Sequence, residues 1–282
     1  MKRLVVTADD AGLHPGMTAG VLAAHDAGIV TATSVSANGR AFDDAVARLR
    51  ERPGLDVGVH LTLVGERPLS PPEEVPSLLG GDGRLLPAWP VFARRWLLGR
   101  IRPDETEAEL RRQIERLLAT GLPVVHLNAH QHLHVLPGLF ERVLRLAVEH
   151  RIPWVRIPTE PVAALSPRAL QITLLNALGR RARRRLGPSG PRSAGRTIGV
   201  LTAGHLTIEA LGRSLDQAGE ITELVCHPGV GEAELAGAYD WGYAWDAETA
   251  ALCDPRVPDL LSKRKIELTS FSRLTKNAAA SV

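Results

Sequence analysis

The feature that most constrains this chain is a rhythm of short apolar runs that end on aspartate or histidine, with helical stretches between them. Residues 4–8 (Leu-Val-Val-Thr-Ala) run into Asp9-Asp10, residues 55–63 carry His60 near their end, residues 124–127 lead towards His130, and residues 221–226 deliver His227. Apolar, β-branched runs of this length read as strands buried on both faces. Residues 29–35, 154–157, 197–201 and 266–271 extend the set of strand candidates. Helical spacing follows Pro15, with Met17, Val21, Leu22 and Ala24 on one side, and returns over residues 42–52, 104–121, 137–150, 166–186, 207–219 and parts of 247–263. Strands alternating with helices make parallel βαβ units. The expected fold is therefore α/β: one domain over residues 1–282, a (β/α) barrel of about seven strands whose regularity the pattern leaves open.

Residues 65–103 break the rhythm. They are rich in Pro and Gly and carry Trp89, Phe92 and Trp96. A long irregular insertion in an α/β domain serves as a lid or binding loop, or simply covers one end of the barrel. We expect Trp89, Phe92 or Trp96 to line or cover a cleft. Composition narrows the function further. The net charge is only +3, and Arg180, Arg181, Arg183, Arg184 and Arg185 supply much of the local basic excess. Such a run reads first as a solvated helix face and second as a contact with an anionic membrane surface or a phosphate. No motif or aromatic platform for nucleic acid accompanies it. The two cysteines, Cys226 and Cys253, form no CxxC pair, so a reducing cytoplasm is the expected setting. Asp9 comes too early for a signal-peptide apolar region, and no apolar run is long enough to cross a bilayer. A homodimer is left open.

Active sites of such barrels gather at the C-terminal ends of the strands. The densest chemistry lies in His126-Leu127-Asn128-Ala129-His130-Gln131-His132-Leu133-His134. If the segment is extended, His130, His132 and His134 share one face. Asp10, His60 and His130 offer one carboxylate and two imidazoles, a set that holds one divalent ion, Zn²⁺ or Mg²⁺, and leaves positions free for water and substrate. Adjacent aspartates in a strand point opposite ways, so we expect Asp10 to bind the metal and Asp9 to take a proton from water. His227, followed by Pro228, is exposed at a strand end and suits a general acid, with His132 as the alternative. Arg156 ends another strand and could hold Asp9 or bind substrate. The bland alternatives are a turn for Asp9-Asp10, a packed core histidine for His60 and a loop position for His227.

At these residues the chain resembles the YdjC-like carbohydrate deacetylase family, which includes the chitooligosaccharide deacetylases. The resemblance is carried by Thr7-Ala8-Asp9-Asp10-Ala11-Gly12-Leu13, Gly58-Val59-His60-Leu61-Thr62-Leu63, the histidine run 126–134 and Cys226-His227-Pro228, in the same order over nearly the whole chain. Asn128-Ala129-His130 and Val155-Arg156-Ile157-Pro158-Thr159-Glu160-Pro161 are similar to the hopanoid-biosynthesis branch, HpnK. The resemblance implies a distorted α/β barrel, a divalent metal on Asp10, His60 and His130, Asp9 as base, and removal of an N-acetyl group from a sugar on an oligosaccharide or a glycolipid such as an N-acetylglucosaminyl hopanoid. Ala11, where the family usually carries Phe, and His14 after Leu13 are departures beside the proposed metal. Two further readings compete: hydrolysis of another bond such as a phosphoester, and carbohydrate binding without catalysis.

Overall fold

The computed structural model describes residues 2–162, 167–188 and 190–279. Its centre is β1 (Lys2–Ala11), joined by β2 (Ala32–Val35), β3 (Asp56–Leu61), β4 (Val124–Ala129), β5 (Trp154–Val155), β6 (Arg196–Ile198), β7 (Ile221–Cys226) and β8 (Ile266–Leu268). Every pairing is parallel, in the order β5-β4-β3-β2-β1-β7-β6, with β8 added beside β1. At ten residues β1 is long enough for three partners. β7 runs along Arg3 to Ala8 on one edge, while β8 (from Lys2 to Leu4) and β2 (from Thr7) follow each other on the other. The sheet curls until its ends approach: the Thr197 hydroxyl of β6 donates to the carbonyl of Ile157, just past β5. The closure is made by irregular chain, so the barrel is distorted.

The strands are short and apolar because both faces are covered. From Leu4 onward every residue of β1 is buried, and the main core is built from Leu, Val, Ile and Ala of the strands and the surrounding helices. Several expected strands shrink. Residues 29–31 and 62–63 lie outside the ladder, and the run at 197–201 yields only a three-residue strand. The stretch expected over 247–263 is two helices, Trp245–Leu252 and Val257–Lys263, separated around Pro255. Ser166, the expected start of the next long helix, lies outside the described residues, and that helix is seen from Pro167 to Arg183. The helices Glu232–Ala238 and Phe271–Ala279 were not expected.

Two differences bear on function. First, the segment 65–103 is not irregular throughout: two 3₁₀ turns lead to a helix, Trp89–Leu97. Phe92 is fully buried in that helix, and Trp96 stacks on it with its indole N–H donating to the carbonyl of Pro137 at 2.8 Å. Phe92 therefore cannot line a cleft, and Trp96 is tied to the scaffold. Trp89 is 38% exposed, with its backbone N–H donating to Gln131. Second, the histidine run is not extended beyond Ala129. Residues His130–Val135 form a kinked 3₁₀ turn in which Gln131 and His132 both take left-handed backbone (φ 53° and 54°). The expected common face of His130, His132 and His134 is lost.

Candidate metal centre

The site begins with a fault in β1. Its register against β2 slips between Ala8 and Ala11, and Asp10 in the gap adopts φ +69°. Left-handed backbone costs a residue other than glycine about 1–3 kcal/mol, and aspartate is among the side chains that tolerate it best. The slip undoes the simple alternation expected of adjacent strand residues. Asp10 meets His60 Nε2 directly, and Asp9 is linked to His60 Nδ1 through Ser34 and Asn128.

On one side, Asp10 Oδ1 lies 3.1 Å from His60 Nε2 and 3.0 Å from His130 Nδ1. The two imidazole nitrogens are 3.4 Å apart. Among the described residues this is the group of three side chains with donor atoms close enough to share one ion. Asp10 and His60 are buried, whereas His130 keeps 12% of its side chain exposed, so the cluster opens to solvent on the His130 side.

On the other side, the hydrogen-bond network assigns the His60 tautomer. An ionised Asp9 only accepts, so Ser34 Oγ (2.8 Å) and the Asn128 amide nitrogen (3.1 Å) donate to its Oδ1. That turns the Asn128 amide oxygen towards His60 Nδ1 at 2.7 Å, and the ring nitrogen must be the donor. Ser34 Oγ, 3.0 Å away, accepts from the same N–H. His60 Nε2 is left with its lone pair, facing the Asp10 carboxylate and His130 Nδ1. Three electron-rich atoms that close together need a cation or protons between them. One carboxylate and two imidazoles could hold a divalent ion, with outer hydrogen bonds of the kind that orient a metal-binding histidine.

Beside this cluster lies a buried ionic group. Arg156 NH2 donates to Asp9 Oδ1 at 2.9 Å, NH1 donates to the other Asp9 oxygen, and Nε donates to Glu223 at 2.9 Å; all three residues are buried. Burial alone would raise the Asp9 pKa, but the Arg156 guanidinium outweighs it and holds the carboxyl well below the usual range. Asp10 is likewise held low, burial being outweighed by His130 and His60. Burial would lower the His60 pKa, yet Asp9 and Asp10 together raise it.

The remaining histidines divide. His134 is buried, its Nε2 donating to the carbonyl of Arg156 at 2.8 Å, and burial pushes its pKa down to about 4. His126 is buried against Phe271, and burial lowers it to about 3. A Cβ on Gly58 would fall 1.9 Å from His126 Nδ1, so the glycine is what admits this ring beside β3. His132 is partly buried, with burial as the main cause of a pKa well below normal. His227 follows β7, where its backbone N–H donates to the buried Glu248 and its Nδ1 lies 4.0 Å from that carboxylate.

Reading the sequence missed Ser34, Glu223 and Glu248, which carry no motif of their own. It also missed Trp241, whose ring centroid is 5.1 Å from that of His130. Here a signal was present: both tyrosines of the chain and two of its five tryptophans fall in Tyr239-Asp240-Trp241-Gly242-Tyr243-Ala244-Trp245.

Fold and site together define a distorted parallel α/β barrel with a carboxylate–imidazole cluster at its strand ends. The sequence matches the YdjC-like protein family over residues 3–263, and the chain belongs to that family. It is 30% identical to a carbohydrate deacetylase of Brevibacillus brevis over 275 residues, covering 96% of this chain and 99% of that one. It is 29% identical to the chitooligosaccharide deacetylase of Serratia marcescens over 278 residues, covering 97% and 99%. A crystal structure from Enterococcus faecalis V583, described as that of a candidate cellobiose-phosphate cleavage protein, has the same fold, with a TM-score of 0.76, 24% identity and coverage of 97% and 98%.

Proposed function

We propose that this protein is a metal-dependent carbohydrate deacetylase that hydrolyses the N-acetyl group of an amino sugar, with Asp10, His60 and His130 holding one divalent ion. The observation that carries the reading is the convergence of three electron-rich side-chain atoms, on a chain whose full-length relatives are named carbohydrate deacetylases. A divalent ion bound there would polarise the acetamide carbonyl and make a nearby water more acidic.

The chain's own residues supply the rest. Asp9, whose charged form is stabilised by Arg156, accepts the proton of the attacking water. It also fixes the His60 ring through Ser34 and Asn128. Arg156 holds Asp9 in place and offsets its charge. His227, just past β7 and partly buried beside Glu248, gives a proton to the departing amine. Water adds to the amide carbonyl, the C–N bond breaks, and acetate and a free amino sugar leave. The substrate we propose is an N-acetylglucosaminyl oligosaccharide or glycolipid, the N-acetylglucosaminyl hopanoid among them. No helix of the described residues is long and apolar enough to cross a membrane, and both cysteines are free thiols.

The test is acetate release by metal-loaded protein from N-acetylated chitooligosaccharides and from N-acetylglucosaminyl lipids. Release from either panel is the expected result, and the panel that is turned over identifies the substrate. Binding of these sugars without release, or cleavage of a phosphoester instead, would overturn the reading.

A further inference from the structure

We infer that the indole of Trp241 is the platform on which the substrate's sugar ring lies while its N-acetyl group reaches the Asp10–His60–His130 cluster. The inference rests on the deacetylase reading above and adds the residue that selects a sugar.

Trp241 stands beside the ligand that opens to solvent. Its ring is 5.1 Å from the His130 ring, tilted by 39°, and is itself only half-buried. Any molecule that approaches His130 from solvent on that side meets the indole. Indole offers a broad face rich in π electrons, and one face of a pyranose offers carbon-bound hydrogens that are weakly positive, so the two attract by geometry as well as by area.

The ring is held rigidly. Tyr239 packs on it at 4.6 Å, with Tyr243 at 5.6 Å and the buried Trp245 at 6.3 Å. The Tyr239 hydroxyl is 3.1 Å from the Leu13 carbonyl and 3.2 Å from Glu66 Oε1. Gly242, at φ +66°, turns the chain between Trp241 and Tyr243. A platform that is already ordered costs little conformational entropy on binding.

Polar groups suited to sugar hydroxyls border the aromatic patch. The Arg40 guanidinium lies 5.4 Å from the Tyr239 ring centre, Glu66 meets the Tyr239 hydroxyl, and His14 packs edge-on to the same ring with its Nε2 3.4 Å from Glu234. An aromatic face with a few convergent polar groups at its edge is the composition of a small-molecule subsite.

The test uses metal-loaded protein with di-N-acetylchitobiose. Trp241→Ala should raise KM by about tenfold or more with kcat changed by less than about threefold, and Trp241→Phe should fall between it and the parent. Metal content and melting temperature should match the parent in both variants, which separates loss of the platform from displacement of His130. A change in tryptophan emission on titrating the sugar into the parent protein should be lost in Trp241→Phe. Unchanged KM and sugar affinity in Trp241→Ala and Trp241→Phe, with acetate still released, would overturn the platform and leave the deacetylase reading standing. No acetate release from this disaccharide or from an N-acetylglucosaminyl lipid, and no binding of either by the parent protein, would overturn both.

Discussion

The two sides of His60 each carry one of the adjacent aspartates and do opposite things. On the Nδ1 side, below the strand ends, each charge has a partner: Asp9 receives Arg156, Ser34 and Asn128, and Arg156 also reaches Glu223. On the Nε2 side, at the rim, Asp10, His60 and His130 turn electron-rich atoms towards one another. The first side resembles the polar interior of any well-satisfied barrel, where leaving one partner out is costly. The second is stable only with positive charge added. A buried ionic group does not by itself mark chemistry; an incomplete one opening to solvent does.

The largest effect that separates the two sides should come from the adjacent aspartates. Asp10→Asn replaces an anionic ligand with a neutral one, so bound metal and activity should fall together. Asp9→Asn should keep the metal while turnover drops by about 10²–10⁴-fold, the usual contribution of a general base. Metal analysis and acetate release on the two variants check this, and a variant pair with the metal behaviour reversed would exchange the roles.

A smaller effect should come from the residues that fix the His60 tautomer. Asn128→Leu removes the acceptor that keeps a proton on Nδ1, and metal affinity should weaken by about 10–100-fold without loss of the fold, read by competition with a chelator. Unchanged affinity would mean that Ser34 alone orients the ring.

The smallest effect concerns stability and pH. His126 is buried with neither ring nitrogen hydrogen-bonded, and its pKa falls from the ordinary 6.5 to about 3 in the fold. The unfolded chain therefore binds a proton that the folded chain refuses. Stability is highest above the unfolded pKa and is lost as pH falls from 6.5 towards the folded value. At pH 5 this one ring should cost about 2 kcal/mol. His126→Leu should flatten the acid side of the melting profile, and an unaltered profile would place the acid sensitivity in other groups such as His134.

Much of this was legible in the residues. Apolar runs ending on Asp9-Asp10, His60, His130 and His227 pointed to parallel strands with polar ends, and four of those residues cluster or flank the centre. The convergence of both aspartates on one imidazole was not legible, because it depends on the register slip at Asp10, and alternation predicts the opposite. The kink at Gln131 and His132 was hidden for a similar reason: nothing in the side chains announces two left-handed residues without glycine. Phe92 looked like a binding aromatic because it sits in a Pro/Gly-rich segment, yet a helix buries it completely. The aromatic group around Trp241 was visible as a dense repeat, but only the fold places it next to His130.

If the rim of the barrel holds one divalent ion through Asp10, His60 and His130, as proposed, hydrolysis should depend on that ion. The most direct measurement strips the protein with a chelator and follows acetate release while metal is titrated back, with bound metal counted in the parent, His60→Ala and His130→Ala. The account predicts no release after stripping, recovery that saturates at about one ion per chain, and loss of that ion in both variants. Full activity in stripped protein, or a normal metal count in both alanine variants, would contradict it.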